Sequence, residues 1–220
     1  VEFQQPLEAS DVHSGRIQFE ASENLRIMRK LPFIVACLTC MALVLAAPSH
    51  AQSVDSSNSS EYLVEAGFTY NFAKLMEWPA SAFPQTDSPI VIGVLGTDPF
   101  GGTLDEVLKG KTANGRGFVV RHLKWGTDLK DCNILFVGAS ESVHMDEIFR
   151  IVKGLPILTI GETPGFAQRG GIINFVLEDD KVRFEVNVDA AKQADINISS
   201  RLLSLAKIVQ QTTPDAKALR

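Results

Sequence analysis

Continuous apolar runs of strand length constrain this chain more than any other feature. Ile90–Leu95 reads Ile-Val-Ile-Gly-Val-Leu, and residues 133–137 and 156–160 repeat the pattern. A strand with one wet face alternates apolar and polar residues. A run without alternation is covered on both faces, as in a parallel sheet. Residues 118–123 read as a further strand. Segments of helical period lie between these runs. Residues 103–108 carry Thr103 and Glu106 at capping-box spacing, and residues 140–152 place Val143, Ile148, Ile151 and Val152 inward, with Ser140 as N-cap. This alternation predicts an α/β fold with a layered, largely parallel central sheet flanked by helices. Ahead of it, from Glu61, Val64, Phe68, Phe72, Leu75 and Met76 recur on one helical face until Trp78-Pro79 stops the helix. Phe68, Phe72, Leu75 and Trp78 are expected to be buried against the sheet.

The pattern changes after Gly170-Gly171. Residues 172–177, the acidic turn Glu178-Asp179-Asp180 and residues 181–186 predict a C-terminal antiparallel hairpin. A final helix is expected over 199–210, with Leu202, Leu205, Ala206 and Val209 on one stripe, and residues 211–220 as a frayed tail. No internal repeat is present.

The N-terminal region has the grammar of export. Met28-Arg29-Lys30 is a cationic start, an apolar run follows to Ala47, and Ser49 and Ala51 are small residues at positions −3 and −1. Residues 28–51 are therefore expected to be a signal peptide cleaved after Ala51, sending the protein to the periplasm. The run is short for a span of about 20 apolar residues. Too little apolar sequence precedes Cys37 for a lipoprotein site. Residues 1–27 are expected to be an upstream extension foreign to the native protein, residues 52–60 a flexible leader, and 61–210 a single domain. From Gln52 the chain carries 17 basic and 21 acidic residues. That mild acidity argues against nucleic acid, which demands clustered basic contacts. Cys132 is the one cysteine after Ala51, and its place at the head of an apolar run suits a buried, inert thiol.

Candidate chemistry fails residue by residue. The loop from Gly96 to Thr103 has P-loop spacing, but Gly102 stands where the phosphate-binding lysine belongs; a glycine turn with Thr103 as helix cap fits better. Gly138-Ala139-Ser140-Glu141-Ser142 imitates a nucleophile elbow without its last glycine. A triad would need His122 or His144; His144 lies on Ser140's own helix, facing outward, and His122 sits within a strand. One cysteine and two separated histidines do not make a zinc site. No catalytic residue, metal or cofactor is expected.

The order of landmarks resembles the YfiR-type periplasmic regulators. Tyr62, Phe72 and Trp78-Pro79 lead, then residues 92–96, 132–137 and 158–161, Phe166 before Gly170-Gly171, residues 184–187, and Ile198-Ser199-Ser200-Arg201-Leu202. The resemblance implies a soluble, dimeric periplasmic protein without catalysis. It implies repression of a membrane-bound diguanylate cyclase through its periplasmic sensor domain, with an outer-membrane lipoprotein that sequesters the repressor. Relatives beside or fused to sensor kinases make a kinase the other partner. The YfiR type carries disulfides, which lone Cys132 cannot form within the chain. A periplasmic small-ligand receptor feeding a transporter or kinase is the alternative, although 169 residues from Gln52 resemble one lobe rather than two. The expected partner surface combines residues 173–185, the loop at Phe166 and the last helix near Arg201, with Phe166 and Ile173 as apolar anchors and Glu185 and Arg201 as charged specificity. Its competitor places Ile173, Phe175 and Phe184 in the core and pairs Glu185 with Arg201. N-terminal sequencing of the exported protein should begin at Gln52; a mature start upstream of Met28 would contradict the export reading.

Overall fold

In a computed structural model, which describes residues 54–212, the chain runs from a long helix into a seven-stranded sheet. The expectations for residues 1–27, the signal peptide at 28–51 and the tail beyond Thr212 lie outside the described residues. Helix α1 (Val54–Leu75) begins inside the segment expected to be a leader. Once its core-facing turns are fixed, each further residue adds a hydrogen bond at little nucleation cost. The helix ends as expected before Trp78, and a two-residue strand β1 (Met76–Glu77) pairs antiparallel with β8 (Asn197–Ile198).

The sheet follows the apolar runs. β2 (Ile90–Leu95), β3 (Phe118–Leu123), β4 (Ile134–Val137), β5 (Leu158–Gly161) and β6 (Ile173–Glu178) are mutually parallel, in the order β3-β2-β4-β5-β6. β7 (Lys181–Asn187) returns antiparallel to β6, with Glu178 opposite Lys181. The two-residue turn, Asp179-Asp180, has both φ angles positive (51° and 56°). Those angles match the twist of a two-residue hairpin, and aspartate tolerates them better than most residues.

Side chains of the central strands point alternately into two cores. Ile92, Val94, Ile134, Phe136, Leu158 and Ile160 face α1, α2 (Thr103–Leu108) and α4 (Val188–Gln193). Leu95, Leu135 and Val137 face α3 (Met145–Val152), Leu129 and Phe166. Phe72 is fully buried on α1; its ring lies edge-on to Phe184 at 5.1 Å and stacks with Phe175 at 5.7 Å. Phe68 and Leu75 are only partly buried, as is Trp78, which packs edge-on against Phe83.

Several local expectations are corrected. The final helix is one turn, α5 (Ser200–Leu203), after which β9 (Lys207–Val209) pairs parallel with β7. Of the predicted stripe only Leu202 is buried, while Leu205 is 66% exposed. The free edge of β7 offers backbone partners that a continued helix would leave unused. The Thr212 N–H donates to the Gln168 carbonyl at 2.8 Å. The helix expected over 140–152 is split into a 3-10 segment, Ala139–His144, and α3, which turns Val143 outward to 81% exposure. Gly138, not Ser140, caps that segment, and Gly102, not Thr103, caps α2 with a φ of 91°. Truncating Phe72 to alanine should cost about 3–5 kcal/mol in urea unfolding. Val143→Ala should stay within about 0.5 kcal/mol of wild type.

Candidate functional site

The carboxyl ends of β4 and β5 carry a group of carboxyls. Glu162 follows β5 directly and turns its side chain toward the start of the 3-10 segment, where its Oε1 accepts the Ala139 N–H at 3.0 Å. Its Oε2 accepts from the Tyr62 hydroxyl at 3.3 Å. Tyr62 lies on α1 and is set by Phe100, edge-on at 5.8 Å, which itself meets Phe136 of β4 at 4.8 Å. One turn along α1, Glu65 is 2% exposed, and its Oε2 is buried without a hydrogen-bond partner.

The electrostatics follow from burial among like charges. Desolvation, then Glu162 and Glu61, push the Glu65 carboxyl up to about 8. Burial also raises Glu162, although the Ala139 and Tyr62 hydrogen bonds oppose it. Desolvation and the neighbouring Glu162 and Glu65 push the Tyr62 hydroxyl up. Between these groups and the hairpin lies an open cavity of about 550 Å³, walled by Glu61, Tyr62, Glu65, Glu162, Gln168 and Glu185 among others. On the far wall Glu185 accepts from Gln168 Nε2 at 2.8 Å and pairs with Lys207 of β9 at 3.0 Å. Burial would raise Glu185, but those two partners hold it below the usual carboxylate range.

The residues expected to form a partner surface divide. Phe166 is fully buried against Phe149, and a Cβ at Gly171 or Gly161 would come within 2.1 or 2.5 Å of its ring. Two glycines therefore make room for Phe166 as a core plug. Ile173 is fully buried in register with Ile160 and Val186, because β6 extends the sheet rather than leaving it. Neither side chain is open to an anchor's role. Glu185 is 5% exposed and pairs with Lys207 rather than Arg201. Arg201 alone of the four is exposed. The accessible apolar groups near it are Leu205 and Ile208.

The other candidates are engaged structurally. Ser140 Oγ accepts the Thr97 N–H at 2.9 Å. The Glu141 carboxylate, not an imidazole, sits against that hydroxyl at 3.4 Å, and His144 meets the other Glu141 oxygen at 2.9 Å while stacking on Trp125. His122 faces Asp98 and Asp105 on the edge strand. Cys132 is buried, and burial pushes its thiol up to about 11, which suppresses the reactive thiolate. Among the described residues no group of His, Cys, Asp and Glu is arranged to hold a metal ion.

Sequence reasoning missed Glu65, Glu162 and Gln168. Glu65 offered one signal, a carboxyl within the apolar face that runs through Phe68 and Phe72. Nothing in the sequence placed Glu162 beside it.

A family model described as YfiR/HmsC-like matches residues 62–207. The chain belongs to this family. Among the described residues no helix is long and apolar enough to cross a membrane. A crystal structure of a conserved domain protein from Vibrio cholerae O1 biovar eltor is similar at a TM-score of 0.43 and 13% identity, over 66% of this chain. The chain spans 60% of that protein's length.

Glu65 makes a pH-dependent contribution to stability. The native state holds its proton up to about pH 8, whereas the unfolded chain releases it near 4.5. The contribution is full below the unfolded value and is lost as pH rises through the folded one. Between those limits wild type should lose about 1.4 kcal/mol per pH unit relative to Glu65→Gln. Urea unfolding of both proteins from pH 5 to 9 measures this. A pH-independent difference would mean that Glu65 is ionised in the native state.

Proposed function

We propose that this chain is a periplasmic regulator that binds the periplasmic sensor domain of a membrane diguanylate cyclase and represses cyclic-di-GMP synthesis. Its membership in the YfiR/HmsC-like family is the observation that carries the reading. Repression is then a matter of linkage: the regulator binds the inactive state of the sensor more tightly than the active one. A differential of a few kcal/mol is enough to shift the population substantially. An outer-membrane lipoprotein that competes for the same regulator relieves the repression, and a sensor kinase is served by the same binding mode. A homodimer presents the binding surface twice.

The surface that suits this role is the β9 edge. Among the described residues β9 pairs with β7 only, so it ends the seven-stranded sheet as an edge strand. Arg201, Leu205 and Ile208 are exposed around it. An open strand edge with apolar and cationic side chains is a template for strand addition or for an interface with an apolar centre and a charged rim. Glu185 supports it from inside by holding Lys207.

Deleting the gene should raise cellular cyclic-di-GMP, and the wild-type gene should restore it. Arg201→Glu and Ile208→Asp change exposed side chains, so each should shift stability by no more than about 0.5 kcal/mol. Both should fail to restore repression. Full repression by both stably folded variants would remove the β9 edge from the interface, and an unchanged cyclic-di-GMP level on deletion would remove the cyclase reading.

A further inference from the structure

The cavity at the carboxyl ends of β4 and β5 has acceptors left over and its wall donors already engaged. Tyr62 O–H and Ala139 N–H both donate to Glu162, and Gln168 Nε2 donates to Glu185. Among the described residues, the buried polar atoms without a partner on its walls are Gln168 Oε1, an acceptor, and Glu65 Oε2, which is an acceptor once its carboxyl is ionised. Buried polar groups are ordinarily paired, and each exception asks for an explanation. A carboxyl that served packing alone would be replaced without loss by an apolar side chain.

We propose that this cavity is a binding site for an organic cation, a guanidinium or a primary ammonium group, seated between Glu65, Glu162 and Gln168. Four carboxyl side chains, Glu61, Glu65, Glu162 and Glu185, wall the cavity and exclude an anion. A ligand with several N–H donors matches the unpaired acceptors, whereas a bare metal ion is not served, since no convergent ligand set exists among the described residues. The volume of about 550 Å³ suits a small organic ligand or one long side chain. The location at the carboxyl ends of parallel strands is where open α/β sheets place ligands. The site does not rest on the partner proposed above.

Binding carries a proton signature. The titratable groups facing Glu65 are Glu61 and Tyr62 on α1 and Glu162 beyond β5. At neutral pH the free site holds Glu65 as the uncharged acid, because its carboxyl is pushed up to about 8. An entering cation favours the carboxylate, so the Glu65 proton leaves for the solvent as the ion pair forms.

The test is calorimetric titration of the full mature chain at pH 7 in two buffers of different ionisation enthalpy. The probes are agmatine, acetyl-arginine-amide and the neutral isostere acetyl-citrulline-amide. Saturable binding is expected for at least one of the two cations and not for the citrulline compound, with release approaching about one proton per ligand. Glu65→Gln should retain its fold, weaken binding by about tenfold or more and abolish proton release. Tighter binding of agmatine identifies a free amine as the source, and tighter binding of acetyl-arginine-amide identifies a side chain of another protein. Glu162→Gln supplies the same affinity comparison should Glu65→Gln not fold. Failure of both cations to bind the wild type, equal binding of the citrulline compound, or unchanged affinity in the folded variants would overturn the proposal. Cellular cyclic-di-GMP plays no part in these readouts, so the two proposals fail separately.

Discussion

β4 and β5 are buried at every residue, and the rest of the architecture follows from their need for cover on both faces. Alternate side chains of each strand enter opposite cores, so neither face can be left to water. α1, α2 and α4 close one face; α3, Leu129 and Phe166 close the other. The cover is tight enough to dictate residue size at several positions. A Cβ at Gly93 would lie 2.6 Å from Cys132 Sγ, and one at Gly161 would strike Phe166. Cys132 and Phe166 therefore fill space that the glycines of neighbouring strands leave open. Packing of this density resists the addition of even one methylene.

The same covering demand explains why a carboxyl is buried. α1 lies along the sheet with Ala66, Phe72 and Ala73 fully buried, and Glu65 sits beside Ala66 where the helix passes the end of β5. There the sheet presents a strand terminus and Glu162 rather than an apolar face. Glu65 thus loses water without gaining an apolar contact surface, and its proton stays on because nothing nearby balances a charge. Glu185 resolves the same problem differently. Lys207 and Gln168 supply the charge and the hydrogen bond, so Glu185 is buried ionised.

The sequence revealed the parts of the fold written in local apolar and turn patterns and hid those decided by partners distant in the chain. Ile90–Leu95 and Phe118–Leu123 are strands at the expected bounds, and the hairpin turns at Asp179-Asp180, within the expected Glu178-Asp179-Asp180 turn, whose first residue ends β6. Residues 207–209 were illegible. Leu202, Leu205 and Val209 fit a helical stripe, yet the vacant edge of β7 outweighs that local pattern. A propensity of a few tenths of a kcal/mol per residue does not compete with a ladder of backbone hydrogen bonds and the burial it brings. Phe166 and Ile173 stayed open in the sequence for a related reason. An aromatic near a glycine pair and an isoleucine at a hairpin start look alike whether they face solvent or core, and only the register with Ile160 decides. The carboxyl cavity is assembled from α1, the residue after β5, the following loop and β7, a combination that no local window of sequence contains.

The cavity and the β9 edge share two residues, which joins the site to the surface. Glu185 walls the cavity and holds Lys207 of β9, while Gln168 walls the cavity and its carbonyl accepts the N–H of Thr212 beyond β9. A cation drawn toward Glu185 would compete with Lys207 for the same carboxylate and loosen β9. A partner that docks on β9 and fixes Lys207 would in turn leave Glu185 less available to a cation. Coupling of this kind is reciprocal by thermodynamic necessity, so its sign can be read from either end. Competition for one carboxylate makes it negative: cation binding and partner binding oppose each other through Glu185. A cation seated on Glu65 and Glu162 alone leaves the Glu185–Lys207 pair intact, and the two events are then independent. The position of the bound cation between these two walls therefore decides whether the cavity can regulate the surface.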